Sequence, residues 1–225
     1  MRRAGDGYAV EREGGEPVLA DAVVLAVPAY AAAALVAELA PRAAAPLTAI
    51  PYVSTASVAL VFPAGTGRHL PPGTGFLFPR GSAPAGVPAA VTAFTWLSRK
   101  WPRPSYGDRA VVRAFVGRRG DERALELGDG GLVDAVLRDL DAAWRLGARP
   151  EAAAVQRWER AMPQYDVGHL ERVAAAEGAL ASGAPGVLVT GSAYRGVGVA
   201  GCVRQGAEAA ERVRRFLEEG RSWTR

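Results

Sequence analysis

Gly196, Gly198 and Gly201 sit in G-x-G-x-x-G spacing within the stretch GVLVTGSAYRGVGVAGCVRQGAEAAERVRRFL, residues 186–217. A short apolar run at 187–189 ends at Gly191, and a turn of small residues follows. An amphipathic segment then carries Ala and Val at helical spacing with Arg, Gln and Glu opposite. Glycines let a backbone approach a ligand closely. The unpaired N–H groups of the following helix, with its dipole, favour an anion or an electron-rich carbonyl. The chemistry predicted here is backbone recognition of a cofactor by the turn around Val197, Gly198 and Val199.

A nicotinamide-type dinucleotide fingerprint is excluded. That motif needs a second strand ending in an acidic residue about 20 residues further on, to hold the ribose. The 225-residue sequence ends within or just past the helix. Its only cysteine is Cys202, which rules out an internal disulfide or a cysteine-based metal centre. His69 and His169 do not make a metal spacing, so no metal site is expected. The net charge of +4 comes from scattered arginines, with Lys100 the only lysine, and fits an acidic small molecule better than nucleic acid. The N-terminus has no apolar core of a leader peptide. The longest uncharged run, 22–37, is broken by Pro28 and too short to span a bilayer. These features predict a soluble, cytoplasmic protein.

Several elements must position the turn. Strands are predicted at 7–12 and 18–27 around Gly14-Gly15, the second apolar enough to be buried on both faces. Pro28 opens a helix at 29–40 and Pro41 stops it. Further strands are expected at 52–62, 76–78, 89–97, 109–116 and 153–160. Helices are expected at 132–146, capped by Asp129, and at 167–180. The fold class predicted is α+β, a mixed α/β arrangement.

Six blocks carry a family resemblance. They are ADAVVLAVPA ending at Ala29, GTGFLFPR (73–80), SRKWP (98–102), VVRAFVGRRGDE (111–122), RWERAMPQYDVGHLERV (157–173) and GSAYRGVGVAGC (191–202). In this order they resemble the C-terminal half of the flavin-dependent coproporphyrinogen and protoporphyrinogen oxidases, within the flavin amine-oxidase-like superfamily. The likeness is strongest to the bacterial coproporphyrinogen III oxidases of haem synthesis. It implies a partial FAD-binding domain formed by both chain ends, 1–45 and 166–225, around an inserted substrate domain, 46–165. It also implies a nucleotide-binding N-terminal half that this sequence lacks, so the chain alone is expected to be an incomplete part of the enzyme and colourless when purified.

By this resemblance FAD is the cofactor, and Val197, Gly198, Val199 and Trp158 contact it. Porphyrinogen and oxygen are the reactants, in a six-electron oxidation of coproporphyrinogen III to coproporphyrin III. No side chain acts as an obligatory acid or base, so the catalytic set is empty. Arg80, Arg99 and Lys100, in loops of the substrate domain, are candidates for the substrate carboxylates. Tyr165 and His169 fall in a matched block without a role, and Cys202, in the first turn of the last helix, is expected to be inert. A protoporphyrinogen oxidase, another flavin amine oxidase or desaturase, and a truncated non-catalytic fragment remain as alternatives. The sequence gives no oligomeric state.

Overall fold

The computed structural model describes residues 1–221, so the last part of the expected closing segment, 222–225, lies outside the described residues. The chain divides into two compact units, one of Met1–Tyr52 with the chain from Pro163 onward, the other Val53–Met162. The first begins with strands β1 (Arg2–Ala4), β2 (Gly7–Arg12) and β3 (Gly15–Ala20), an antiparallel meander in the order β1-β2-β3. The single strand expected at 18–27 is two. A bend at residues 21–22 sends β4 (Val23–Leu25) into a different sheet. Nor is the run buried on both faces: Val18, Leu19 and Val24 are all exposed. An apolar run alone could not show this, because burial depends on what covers each face.

Helix α1 (Ala29–Val36) ends earlier than expected, and Pro41 starts helix α2 (Pro41–Thr48) rather than only stopping its predecessor. Proline at a first helical position loses no hydrogen bond, because that N–H has no partner in any helix. Alanines at 29, 32, 33 and 43 form the buried faces of the two helices, which lets them pack closely. Tyr52 closes this part of the unit: its ring meets Tyr30 edge-on at 5.1 Å and its hydroxyl accepts the Ala29 N–H at 2.7 Å.

The second unit is built on a five-stranded sheet. Its strands are β5 (Tyr52–Val61), β6 (Gly75–Leu77), β7 (Val91–Trp96), β8 (Val111–Val116) and β9 (Ala152–Pro163), in the order β6-β7-β8-β5-β9. Pairs β6/β7, β7/β8 and β5/β8 are antiparallel. A single helical turn, α3 (Leu97–Lys100), follows β7. Helix α4 (Asp129–Ala143) lays Leu132, Val136 and Leu140 into the core. Asp129 is not its cap. Gly128 occupies that position, and Asp129 pairs with Arg157 at 2.8 Å instead.

Asp139 has no counterpart in the sequence reading. Although wholly buried, it accepts the N–H groups of Ala90 (2.6 Å) and Val91 (3.0 Å), and its other oxygen meets Arg138 at 2.9 Å. The buried carboxylate is therefore satisfied on both oxygens and ties α4 to the start of β7.

Past Pro163 the first unit resumes with α5 (His169–Gly183), β10 (Val187–Val189) and α6 (Val199–Arg221). Strand β10 pairs in parallel with β4, Val187 opposite Val23, and each has one strand neighbour among the described residues. Gly186 precedes β10 at φ +86°, where an added Cβ would fall 2.6 Å from the Phe216 ring. That glycine is required twice over, by its backbone and by the helix lying on it. Val173, Ala176 and Leu180 of α5 join α1, α2 and β10 in one core.

Asp139→Ala leaves two inward-facing amides unpaired and is expected to cost about 3 kcal/mol. Asp129→Ala, which breaks a largely exposed ion pair, is expected to cost less than about 1 kcal/mol. Urea unfolding of the two variants measures both, and comparable losses would contradict the pinning role given to Asp139.

Candidate functional site

The turn before α6 is held from two sides. From Tyr194 to Gly196 every backbone N–H and C=O has a partner. The Tyr194 N–H donates to the Gly191 carbonyl at 3.3 Å. The Tyr194 carbonyl lies 2.9 Å from His169 Nε2, so that nitrogen carries the ring proton. The Arg195 N–H donates to Gln205 Oε1 at 3.0 Å, and the Arg195 carbonyl accepts from Arg204 Nη2 at 3.2 Å. The Gly196 N–H donates to the Tyr165 hydroxyl at 2.8 Å, and the Gly196 carbonyl accepts from Gln205 Nε2 at 3.2 Å.

One residue further on the pattern reverses. The amides of Val197, Gly198, Val199, Ala200 and Gly201 have no hydrogen-bond partner among the described residues. The last three belong to the first turn of α6, where helix geometry offers no acceptor. The three glycines do different work. Gly196, at φ +142°, brings its backbone within 3.4 Å of where a Cβ on Gly201 would sit, so the turn folds down on the helix. Gly198 has nothing within 4 Å of its missing Cβ.

Tyr165 and Gln205 make this geometry. The Tyr165 hydroxyl also donates to the Ser192 carbonyl at 2.8 Å, so both its donor and its acceptor roles are used. Its ring stacks on His169, centroids 3.7 Å apart and planes 16° apart. Burial pushes the Tyr165 phenol above its ordinary value, outweighing the Gly196 N–H, which favours the phenolate. Gln205 Nε2 donates a second bond, to the Gly201 carbonyl at 3.0 Å, and the side chain is almost fully buried. The sequence reading placed Gln on the solvent side of this helix and the valines on the core side. The structure corrects this: Gln205 and Ala209 face inward, while Val199 and Val203 are 83% and 68% exposed. Polar type mimics an outward position, and only the packed turn reveals what the amide binds. Cys202 is half-buried with its Sγ 3.8 Å from the Gly196 carbonyl.

The remaining predicted residues lie in the second unit. Trp158 is on β9, about half exposed. Two residues along, Arg160 adopts φ +44°, the one left-handed non-glycine among the described residues, with its N–H donating to Ser54 Oγ at 3.1 Å. Arg99 and Lys100 are on α3 rather than in a loop. Arg99 donates to the Pro71 carbonyl at 2.7 Å, and the Lys100 ammonium sits over the Trp101 ring at 4.7 Å. Arg80 donates to the Arg119 carbonyl at 3.0 Å. The three cations thus make three separate local contacts. Among the described residues no group of His, Cys, Asp and Glu is able to hold a metal, and no helix is long and apolar enough to cross a membrane.

A parallel strand pair leading into a helix whose first amides are open is an arrangement suited to binding a cofactor. A crystal structure from Exiguobacterium, assigned as a protoporphyrinogen oxidase, has that fold: TM-score 0.76 at 29% identity, over 96% of this chain and 45% of that one. The model of the flavin containing amine oxidoreductases matches residues 1–214, and the chain belongs to that family. It is 37% identical over 217 residues to the coproporphyrinogen III oxidase of Bacillus subtilis, covering 96% of this chain and 45% of the relative. Identity to the coproporphyrinogen III oxidase of Mycobacterium tuberculosis is 37% over 212 residues, 94% and 44% of the two chains. The chain spans about half the length of the curated relatives it matches. A flavin fits the site: open amides with clear space at Gly198 suit a flat, electron-rich ring system.

Tyr194, the residue whose carbonyl meets His169, has a buried hydroxyl with no hydrogen-bond partner, and burial raises its phenol far above the ordinary value near 10. Tyr165 is shifted the same way. A raised folded-state value means that the neutral phenol stabilises the fold. This contribution is complete below pH 10, the unfolded value, and is lost as pH rises through the folded one. The urea midpoint should therefore hold steady to about pH 10 and fall above it. Tyr194→Phe should remove much of that fall and change stability at pH 7 by less than about 1 kcal/mol, since no bond is lost. An alkaline fall unaltered in the variant would place its origin elsewhere.

Proposed function

We propose that this chain is part of an FAD-dependent, cytoplasmic coproporphyrinogen III oxidase of haem synthesis. The observation that carries the reading is the row of five open amides from Val197 to Gly201, with open space at Gly198. Support comes from the relatives named coproporphyrinogen III oxidase, which match nearly the whole chain. When bound, FAD supplies the acceptor for two electrons at a time, so three turnovers with oxygen as final oxidant account for the six electrons removed from the porphyrinogen.

This chain's part is binding and electrostatics. The amides of Val197, Gly198 and Val199 donate to the electron-rich edge of the ring system and favour its negatively charged reduced form. Trp158 offers a large apolar face to the cofactor. Arg80, Arg99 and Lys100 provide cations for the substrate carboxylates, and the existing contacts of Arg99 and Arg80 use only part of their donor sets. No residue of the site is a general acid or base for the reaction. Protoporphyrinogen is the second reading, favoured by the Exiguobacterium likeness; it differs from coproporphyrinogen in two ring substituents and meets the same chemistry.

The test mixes the purified chain with FAD, alone and together with the portion of the Bacillus subtilis relative that it does not match. Flavin absorbance should appear with the added portion, followed by coproporphyrin fluorescence from coproporphyrinogen III. No bound flavin in either mixture would refute the cofactor assignment, and turnover of protoporphyrinogen alone would favour the second reading. Gly198→Ala places its Cβ where no chain atom lies within 4 Å. It should weaken FAD binding about tenfold or more while costing about 1 kcal/mol or less of stability.

A further inference from the structure

We infer that Tyr165 and Gln205 are positioning residues that set the aim of the open amides at 197–201. The inference rests on the flavin reading above. The two side chains grip the same residue, Gly196, from opposite directions: the Tyr165 hydroxyl takes its N–H and Gln205 Nε2 its carbonyl. Each then anchors the grip to a different rigid element. Tyr165 is stacked on His169, the first residue of α5, which itself holds the Tyr194 carbonyl. Gln205 stands in the second turn of α6 and also takes the Gly201 carbonyl. The peptide planes on either side of Gly196 are thus fixed relative to both helices, and the next five amides inherit that orientation.

The cost of leaving this to backbone preference alone is plain from Gly196. A glycine at φ +142° has more accessible conformations than any other residue, so an unclamped turn would spread its amides over many directions. Two side chains supplying three bonds to backbone carbonyls and two to backbone amides narrow that spread before any ligand arrives. Preorganised donors stabilise developing charge because they need no reorientation as it forms. A reduced ring system carries more negative charge than an oxidised one, so loss of aim should weaken binding of the reduced form more.

Two conservative variants test this. Tyr165→Phe keeps the stack on His169 and removes only the hydroxyl; Gln205→Glu keeps shape and acceptor but removes the amide donor. Amide exchange is measured by NMR in the chain without flavin. FAD affinities, oxidised and reduced, are measured in whichever mixture of the preceding experiment binds it. In Tyr165→Phe, exchange at Gly196 should quicken about tenfold, and so should exchange at Arg195, whose own partner Gln205 is untouched. In both variants the preference for reduced over oxidised FAD should fall about tenfold, a change that a merely structural residue would not produce. An unchanged preference in both variants would overturn the inference even if FAD binds well. If the unsubstituted chain takes up no FAD, the flavin reading fails separately; exchange then decides alone, with coupled acceleration at Arg195 supporting the clamp and an unmoved Arg195 removing it.

Discussion

Backbone polarity in a turn has to be satisfied somewhere, and in this molecule the satisfaction stops abruptly at Gly196. Up to that residue each carbonyl and amide from Tyr194 onward is taken up, by the Gly191 carbonyl and by the side chains of Tyr165, His169, Arg204 and Gln205. Beyond it the amides of the helix mouth are left open. Water can meet them in the free protein, but water is exchanged at little cost for a ligand carbonyl. The rest of the first unit follows from holding that boundary in place. The alanine-rich α1 and α2 pack on α5, α5 carries His169, and β10 delivers the chain to the turn.

The second unit solves a different problem. Its sheet is covered by α4 through Leu132, Val136 and Leu140, and an aromatic cluster of Phe76, Phe94, Trp96 and Trp144 fills the space around it. Asp139 pins helix to strand through two amides. What this unit leaves at the surface is chemically distinct from its core. Edge strand β9 exposes Trp158 and Met162, with the left-handed Arg160 between them interrupting the alternation of side chains. Strain of this kind persists only where surrounding contacts enforce it, and here the Ser54 hydroxyl holding the Arg160 amide is one such contact.

The chain belongs to the flavin containing amine oxidoreductases, a redox family. A redox ring needs electrostatic support for charge gained on reduction and an apolar face against its plane. The open amides of the first unit suit the first of these needs. The displaced tyrosine values report chiefly burial, with Cys202 adding a smaller upward push on Tyr165 and Tyr52 on Tyr194.

Much of this was legible in the residues. Periodicity found β2, β5, β8, α4 and β10 near their observed limits, because each is long or apolar enough for one local rule to dominate. The glycine spacing at 196, 198 and 201 located the helix mouth, since small residues are the only ones that such a close turn admits. Other features depended on distant partners and left no local mark. Pro41 could equally end a helix or begin one, and packing of α2 against α1 and α5 decided it. The run 18–27 reads as one strand until two sheets compete for its halves. Asp139, Tyr165 and Gln205 look like ordinary polar residues in sequence. Their roles exist only because folding brings backbone amides and carbonyls from 25 to 50 positions away in two cases, and from about ten in the third, within 3 Å or so of them. Residue type fixed what each side chain could bond; the tertiary structure alone decided what stood opposite it.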